Sequence, residues 1–321
     1  MILMNWKVLK KCLPIIGIGL FIYLLIKLDV TKIFQEINNI IWIYLAISII
    51  FIVSFYILQT LKWFIIAKKQ KINLSFKEAF KINLISNFYG FVTPGKIGTI
   101  TRMNYLKKKG AETGKGLSNF ILDKIFDICS LFALTIIFGF ILYKEIISIK
   151  YLYLILIAFA LLLVLFSIFY KKEYSRFLLK FIYKKFIPNR FKEKSRALFN
   201  SFYEALPPVS SLIFYSIINL ITWIVNYAIV YFVGLSLGIN VSFAYFLVIL
   251  PISTLIAQIP ITIDGFGTRE ITLIGLFGIL GISAIKVFSM SVLSILIVNV
   301  IPSLIAIIFI LSERKDDIHH I

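Results

Sequence analysis

Apolar runs separated by short basic stretches set the pattern of this chain. Runs at about 12–28, 40–61, 117–143, 151–170, 210–233, 243–259 and 286–311 are each near the length that crosses a bilayer as a helix. Two further stretches break off before crossing. Residues 78–101 are interrupted by Gly90, Pro94, Gly95 and Gly98, with Lys77 and Lys81 before and Arg102, Lys107, Lys108 and Lys109 after. Basic flanks on both sides predict a re-entrant or broken segment with both ends in the cytoplasm. The second interruption, PITIDGFGTRE at 260–270, leads into a short apolar piece, 271–283. Whether that piece crosses or turns back decides the side of the C-terminus. Residues 171–206 carry ten Lys/Arg against three Glu, and Pro188 divides them into two pieces. Phe177, Phe181 and Ile182 share one helical face, as do Phe191, Leu198 and Phe202. This predicts two basic amphipathic helices lying in the headgroup plane.

The expected fold is therefore an all-α polytopic membrane protein of 7–8 transmembrane helices, with two broken segments and an inverted repeat. One integral membrane domain, 1–321, is expected, with a first half at 1–170, a cytoplasmic loop at 171–206 and a second half at 207–321. Composition agrees. Hydrophobic residues make up 60% of the chain and charged residues 15%, against roughly 45–50% and ~25% in soluble domains. A disordered chain, a disulfide scaffold and a soluble enzyme are excluded. The net charge of +19 lies between apolar runs, which points to topology and anionic lipid rather than nucleic acid. Lys7, Lys10 and Lys11 place the N-terminus in the cytoplasm of a multi-pass cell-membrane protein, and the following run reads as a retained span. Cys12 and Cys129 lack metal-ligand spacing, and His319 and His320 stand at the C-terminal end. No metal, cofactor or catalytic residue is expected. The sequence holds no P-loop, no paired-His zinc motif and no GxSxG.

The two interruptions resemble each other. TPGKIGTITR, 93–102, and TIDGFGTRE, 262–270, each place glycines, a Thr and an Arg at the end of an apolar segment. Interrupted segments at corresponding places in two halves point to a carrier site. The expected backbone breaks are Pro94, Gly95, Gly98, Pro260, Gly265 and Gly267. A helix broken at membrane depth offers free N–H groups to an anion, and arginine adds a planar fork suited to phosphate. Lys96, Arg102, Arg269, Glu270 and Asp264 are thus the candidate substrate-binding residues. The competing reading makes both arginines snorkelling anchors at the membrane surface. Asp123 and Asp127, at i and i+4 beside Lys124, share one helical face of the third span. They are read as pairing with Arg102 or Arg269 or as relaying a proton, unless they lie near the cytoplasmic end and pair with its basic residues. Asn83 and Asn87 are candidates for bonds between helices.

These segments resemble the flippase-like transmembrane domain of lysylphosphatidylglycerol synthases and its stand-alone membrane-protein relatives. TPGKIGTITR is similar to that family's P-G-x-x-G-E-x-x-R pattern, DKIFD to its acidic-basic-x-x-Asp pattern, and PITIDGFGTRE to its P-x-x-x-G-G-x-G-x-x-E pattern. Thr99 stands in place of the usual Glu, Asp123 and Lys124 in place of Glu and Arg, and Asp264 in place of a second Gly. The resemblance implies lipid handling. In bifunctional relatives this domain moves an aminoacylated phospholipid between leaflets, while a soluble domain, not expected here, attaches the amino acid. The expected function is a membrane carrier or flippase for an anionic polar lipid or lipid-linked sugar. The alternatives are a membrane-embedded transferase using a carboxylate base on a lipid-linked donor, and an accessory subunit beside a glycolipid-pathway enzyme. Expected partners are the lipid itself and anionic headgroups at 171–206.

Overall fold

The computed structural model describes residues 18–259 and 262–319, and the side chains at 181, 182, 184, 186 and 313–319 are outside that description. Described residues form helices almost throughout. They are α1 (Ile18–Lys27), α2 (Val30–Asn38), α3 (Trp42–Lys69), α4 (Phe76–Phe91), α5 (Thr101–Lys108), α6 (Thr113–Ile141) and α7 (Ile149–Tyr170). After these come α8 (Lys172–Phe186), α9 (Asn189–Glu204), α10 (Val209–Ser236), α11 (Phe243–Gln258), α12 (Thr268–Ile279), α13 (Ala284–Ile295) and α14 (Ile301–His319). A π turn, Leu296–Val300, joins α13 to α14. Among the described residues, five helices are long and apolar enough to cross a membrane: α3, α6, α7, α10 and the rod Ala284–Ser312. The first predicted span is described only from residue 18, so Lys7, Lys10, Lys11 and Cys12 lie outside the described residues, as do Pro260 and His320.

The two interrupted segments are both hairpins. Ser75 caps α4 through a reciprocal bond pattern with Glu78. The Glu78 carboxylate also meets the Lys109 ammonium, one residue beyond α5. The end of α5 therefore stands beside the start of α4, and the segment returns to the side it entered from. The second segment does the same. Phe246, near the start of α11, packs edge-on against Phe277, near the end of α12, with ring centroids 5.0 Å apart. Residues 271–283 thus run back alongside α11, and the long apolar rod that follows is α13–α14.

α3 and α10 lie antiparallel along each other. The Ile41 N–H donates to the Ser236 carbonyl at 2.8 Å, and the Lys62 ammonium donates to Asn219 at 2.8 Å. Each leads into a hairpin, so the two hairpins enter from opposite ends of this pair. Packing around it is reciprocal: α4 lies against α14, and α11 lies against α6. The core is a mixed aliphatic and aromatic cluster including Phe55, Tyr56, Leu131, Ile229, Phe246 and Met290. One boundary differs in a way that matters. The predicted second span stops at residue 61, whereas α3 runs on to Lys69. At 1.5 Å per residue this carries Lys62 about 10 Å inside the helix end.

The loop 171–206 forms two helices broken at Pro188. α9 packs on the start of α6, where a methyl group on Gly114 would meet the Ser201 hydroxyl at 1.9 Å. α8 leaves Tyr174, Phe177 and Leu178 exposed among its basic residues.

Candidate functional site

The two breaks touch. Pro94 and Ile263 form an isolated antiparallel bridge, the point where the hairpins from opposite ends meet. Across it the Lys96 ammonium lies 3.1 Å from Asp264 Oδ1, and Asn299 of the π turn donates to Asp264 Oδ2 at 3.0 Å. Lys96 and Asp264 both have left-handed backbone, with φ of 56° and 45°. Such positions cost non-glycine residues of order 1–3 kcal/mol and gather at functional sites. Two glycines let each hairpin close tightly on itself. A Cβ on Gly98 would stand 2.1 Å from the Tyr89 carbonyl oxygen. Gly265 has φ of +77°, and a Cβ there would stand 2.3 Å from that of Ala257.

Beyond the second break, the Glu270 carboxylate is fully buried and fully engaged. One oxygen accepts from the Gly267 N–H at 2.7 Å, at the start of α12. The other accepts from Arg269 Nε at 3.1 Å and Nη2 at 3.0 Å, and from the Ser291 hydroxyl at 2.7 Å. Nη2 also donates to Ser291 at 2.9 Å. Glu270 thus holds the guanidinium in place, and Nη1 donates no hydrogen bond among the described residues.

A second charged cluster lies in the first half. Lys62 bridges Asp123 at 2.9 Å and Asp127 at 2.6 Å. Arg102 pairs with Asp123 at 3.0 Å and stacks over the Trp63 ring at 4.6 Å. Trp223 Nε1 donates to Asp127 at 3.0 Å, and Asn219 links Lys62 to Ser130. Lys124 stands 3.8 Å from Asp127. Asp123 is ten residues into α6, about 15 Å from its start. These carboxylates are therefore not end-of-helix charges, and their cations satisfy them within the bundle.

Two adjoining cavities of about 80 Å³ each flank the Lys96–Asp264 pair. That is room for several waters or one small oxyanion group. Lys96, Asp264, Trp223, Asn226 and Asn299 line both. Arg269 lines one chamber; Lys62, Lys124 and Asp127 line the other. Asn226 Oδ1 is buried without a hydrogen-bond partner among the described residues. Of the candidate binding residues, Lys96, Asp264 and Arg269 meet at the chambers, with Glu270 directly behind. Arg102 does not join them: α5 packs on α4 and α6, which turns its guanidinium onto Asp123 and Trp63. The expected pairing of Asp123 with Arg102 is present. Asn83 and Asn87 both donate to Gln59 of α3, at 2.9 and 2.6 Å.

Lys62 escapes sequence reasoning because it reads as a flanking lysine. A signal is nonetheless there: Gln59, Lys62 and Trp63 follow helical spacing, as do Asn219, Trp223 and Asn226 in α10. Asn299 depends on a π turn that has no sequence signature.

The chain is 26% identical over 190 residues to the UPF0104 membrane protein MJ1078 of Methanocaldococcus jannaschii, covering 58% of this chain and 77% of that one. The family model described as lysylphosphatidylglycerol synthase TM region matches residues 14–306. Matched over nearly its whole length, and folded around the two meeting breaks, this all-helical membrane protein belongs to the lysylphosphatidylglycerol synthase transmembrane-region family.

Proposed function

We propose that the protein carries an anionic polar lipid or lipid-linked sugar between leaflets, holding the headgroup phosphate where the two breaks meet. The observation that carries this reading is the lining of the two chambers. Four cations, Lys62, Lys96, Lys124 and Arg269, face them against two carboxylates, Asp127 and Asp264. With the groups directly behind included, five cations (Arg102 added) face four carboxylates (Asp123 and Glu270 added). One uncompensated positive charge in a low-dielectric bundle attracts a single negative charge strongly.

The proposed architecture is six crossings, α1, α3, α6, α7, α10 and α13–α14, with two re-entrant hairpins. It treats the halves as an inverted repeat. The reciprocal pairs α4–α14 and α11–α6 around an antiparallel α3–α10 support that reading, since a two-fold axis in the membrane plane generates such an exchange. Each chamber suits a phosphate rather than a whole headgroup, so the rest of the lipid lies outside it or enters as the hairpins separate. Asp123, Asp127, Asp264 and Glu270 each face a cation, which favours binding over use of a free carboxylate as a transferase base.

The test is native extraction of wild type, Arg269→Ala and Lys96→Ala, followed by lipid mass spectrometry. Wild type is expected to retain a charged lipid that both variants lose while keeping the same elution profile. Equal retention in all three overturns the reading.

A further inference from the structure

The Lys96–Asp264 pair is lopsided. The lysine side chain is 38% exposed, whereas that of Asp264 is 2% exposed. Among the described residues, Asp264 Oδ1 receives no hydrogen bond and has only the ammonium, while Oδ2 has the Asn299 amide. Lys96 can therefore turn toward a ligand in the chamber, but Asp264 cannot follow it into water. The charged groups of α3, α6 and α12 that line the chambers each have a partner. On α3, the Tyr56 hydroxyl donates to the Val298 carbonyl, and Lys62 is held by Asp123 and Asp127. On α6, Lys124 stands by Asp127. On α12, Arg269 is held by Glu270. Among the described residues, Lys96 is the cation within ion-pair distance of Asp264.

From this geometry we infer that a singly charged oxyanion, such as a phosphodiester, displaces the Asp264 carboxylate from Lys96, and that Asp264 then takes up one proton from solvent. This rests on the preceding reading of the chambers as an anion site. The physical cause is the cost of a buried carboxylate left without its cation, which neutralisation removes. Charge is conserved at the site: an anion enters, a proton enters, and Lys96 exchanges one anionic partner for another. Binding on one side of the membrane and release on the other would then carry a proton with each headgroup. The sign follows from linkage. A complex that holds more protons than the free protein forms more tightly as pH falls, by up to about tenfold per pH unit for one proton.

The experiment is calorimetric titration of the full chain in detergent with dihexanoyl-phosphatidylglycerol, and separately with dimethyl phosphate. Each is run at several pH values in two buffers of different ionisation heat. Wild type is expected to show buffer-dependent heat, a fraction of a proton taken up per anion, and affinity rising as pH falls. Uptake with both probes assigns the exchange to any phosphodiester; uptake with the lipid alone assigns it to a lipid headgroup. Asp264→Asn is expected to bind without buffer dependence and with a flat pH profile. Binding by wild type with no proton uptake, or an Asp264→Asn profile that matches wild type, overturns the exchange while leaving the anion site standing. No binding of either probe removes the site itself, and the exchange with it. If Asp264→Asn does not insert, the proton count of wild type decides alone.

Discussion

The two breaks carry an arginine in similar places and use it differently. Arg102 is buried and closed off: its guanidinium lies between Asp123 and the Trp63 face and lines neither chamber. Arg269 has a side chain 19% exposed, is held from behind by a fully buried Glu270, and lines a chamber. Lys96 and Lys62 divide in the same way, one toward open space and one locked between two aspartates. The Asp123 cluster ties α3, α5, α6 and α10 together, with Lys62, Lys124 and Asp127 reaching one chamber; Lys96, Asp264 and Arg269 face the space between the hairpins. Identical side-chain chemistry is closed off or left facing a chamber depending on whether its carboxylate partner stands in front of it or behind it.

The largest expected effect tests the Asp123 cluster. Asp123→Ala leaves Arg102 and Lys62 short of a counter-charge inside the bundle, and is expected to cost about 3–5 kcal/mol. A lowered melting temperature in detergent checks it. A melting temperature equal to that of wild type would mean that the cluster holds nothing together. Next comes the closure of the first hairpin. Gly98→Ala drives a methyl group against the Tyr89 carbonyl and is expected to cost about 1–3 kcal/mol, read by the same melt. The sharpest contrast applies one substitution to both breaks. Arg102→Lys loses the fork and the stacking on Trp63, about 1–2 kcal/mol of stability, with lipid retention unchanged. Arg269→Lys is expected to keep stability within about 1 kcal/mol while retained lipid falls about tenfold, the equivalent of ~1.4 kcal/mol in affinity. Parallel melts and lipid analysis of the two variants decide whether the arginines differ as described.

The smallest effect concerns the foot of the first hairpin. The Lys109 ammonium, then the Ser75 backbone and hydroxyl, hold the Glu78 carboxyl down at about 2. A depressed carboxylate stabilises the fold above its ordinary value near 4.5 and loses that contribution as pH falls toward about 2. Between those limits the melting temperature of wild type is expected to fall slightly more than that of Glu78→Gln. The pair is exposed and screened, so the difference is small.

Much of this arrangement is legible in the sequence because it rests on covalently local signals. The glycines and prolines that interrupt the apolar runs mark both breaks, the i, i+4 spacing puts Asp123 and Asp127 on one face, and Pro188 separates α8 from α9. What escapes is partnership across the bundle. A lysine seven residues from a helix end reads the same whether it meets solvent or two buried aspartates, so Lys62 looks like an anchor until α6 is laid beside it. Arg102 looks like a ligand group for the converse reason: only the docking of α5 on α6 directs it to Asp123. The direction of 271–283 is also a tertiary matter, fixed by contacts such as Phe246 on Phe277.

The claim that the headgroup sits where the two breaks meet is tested most directly by photolabelling. An anionic phospholipid bearing a diazirine in its headgroup would be incubated with the reconstituted protein, irradiated, and the labelled residues located by mass spectrometry. Labels at Lys96, Trp223, Asn226 or Asn299, removed by excess unmodified anionic lipid, are the predicted result. Labels confined to the outer faces of α7 and α8, unaffected by that excess, would contradict it.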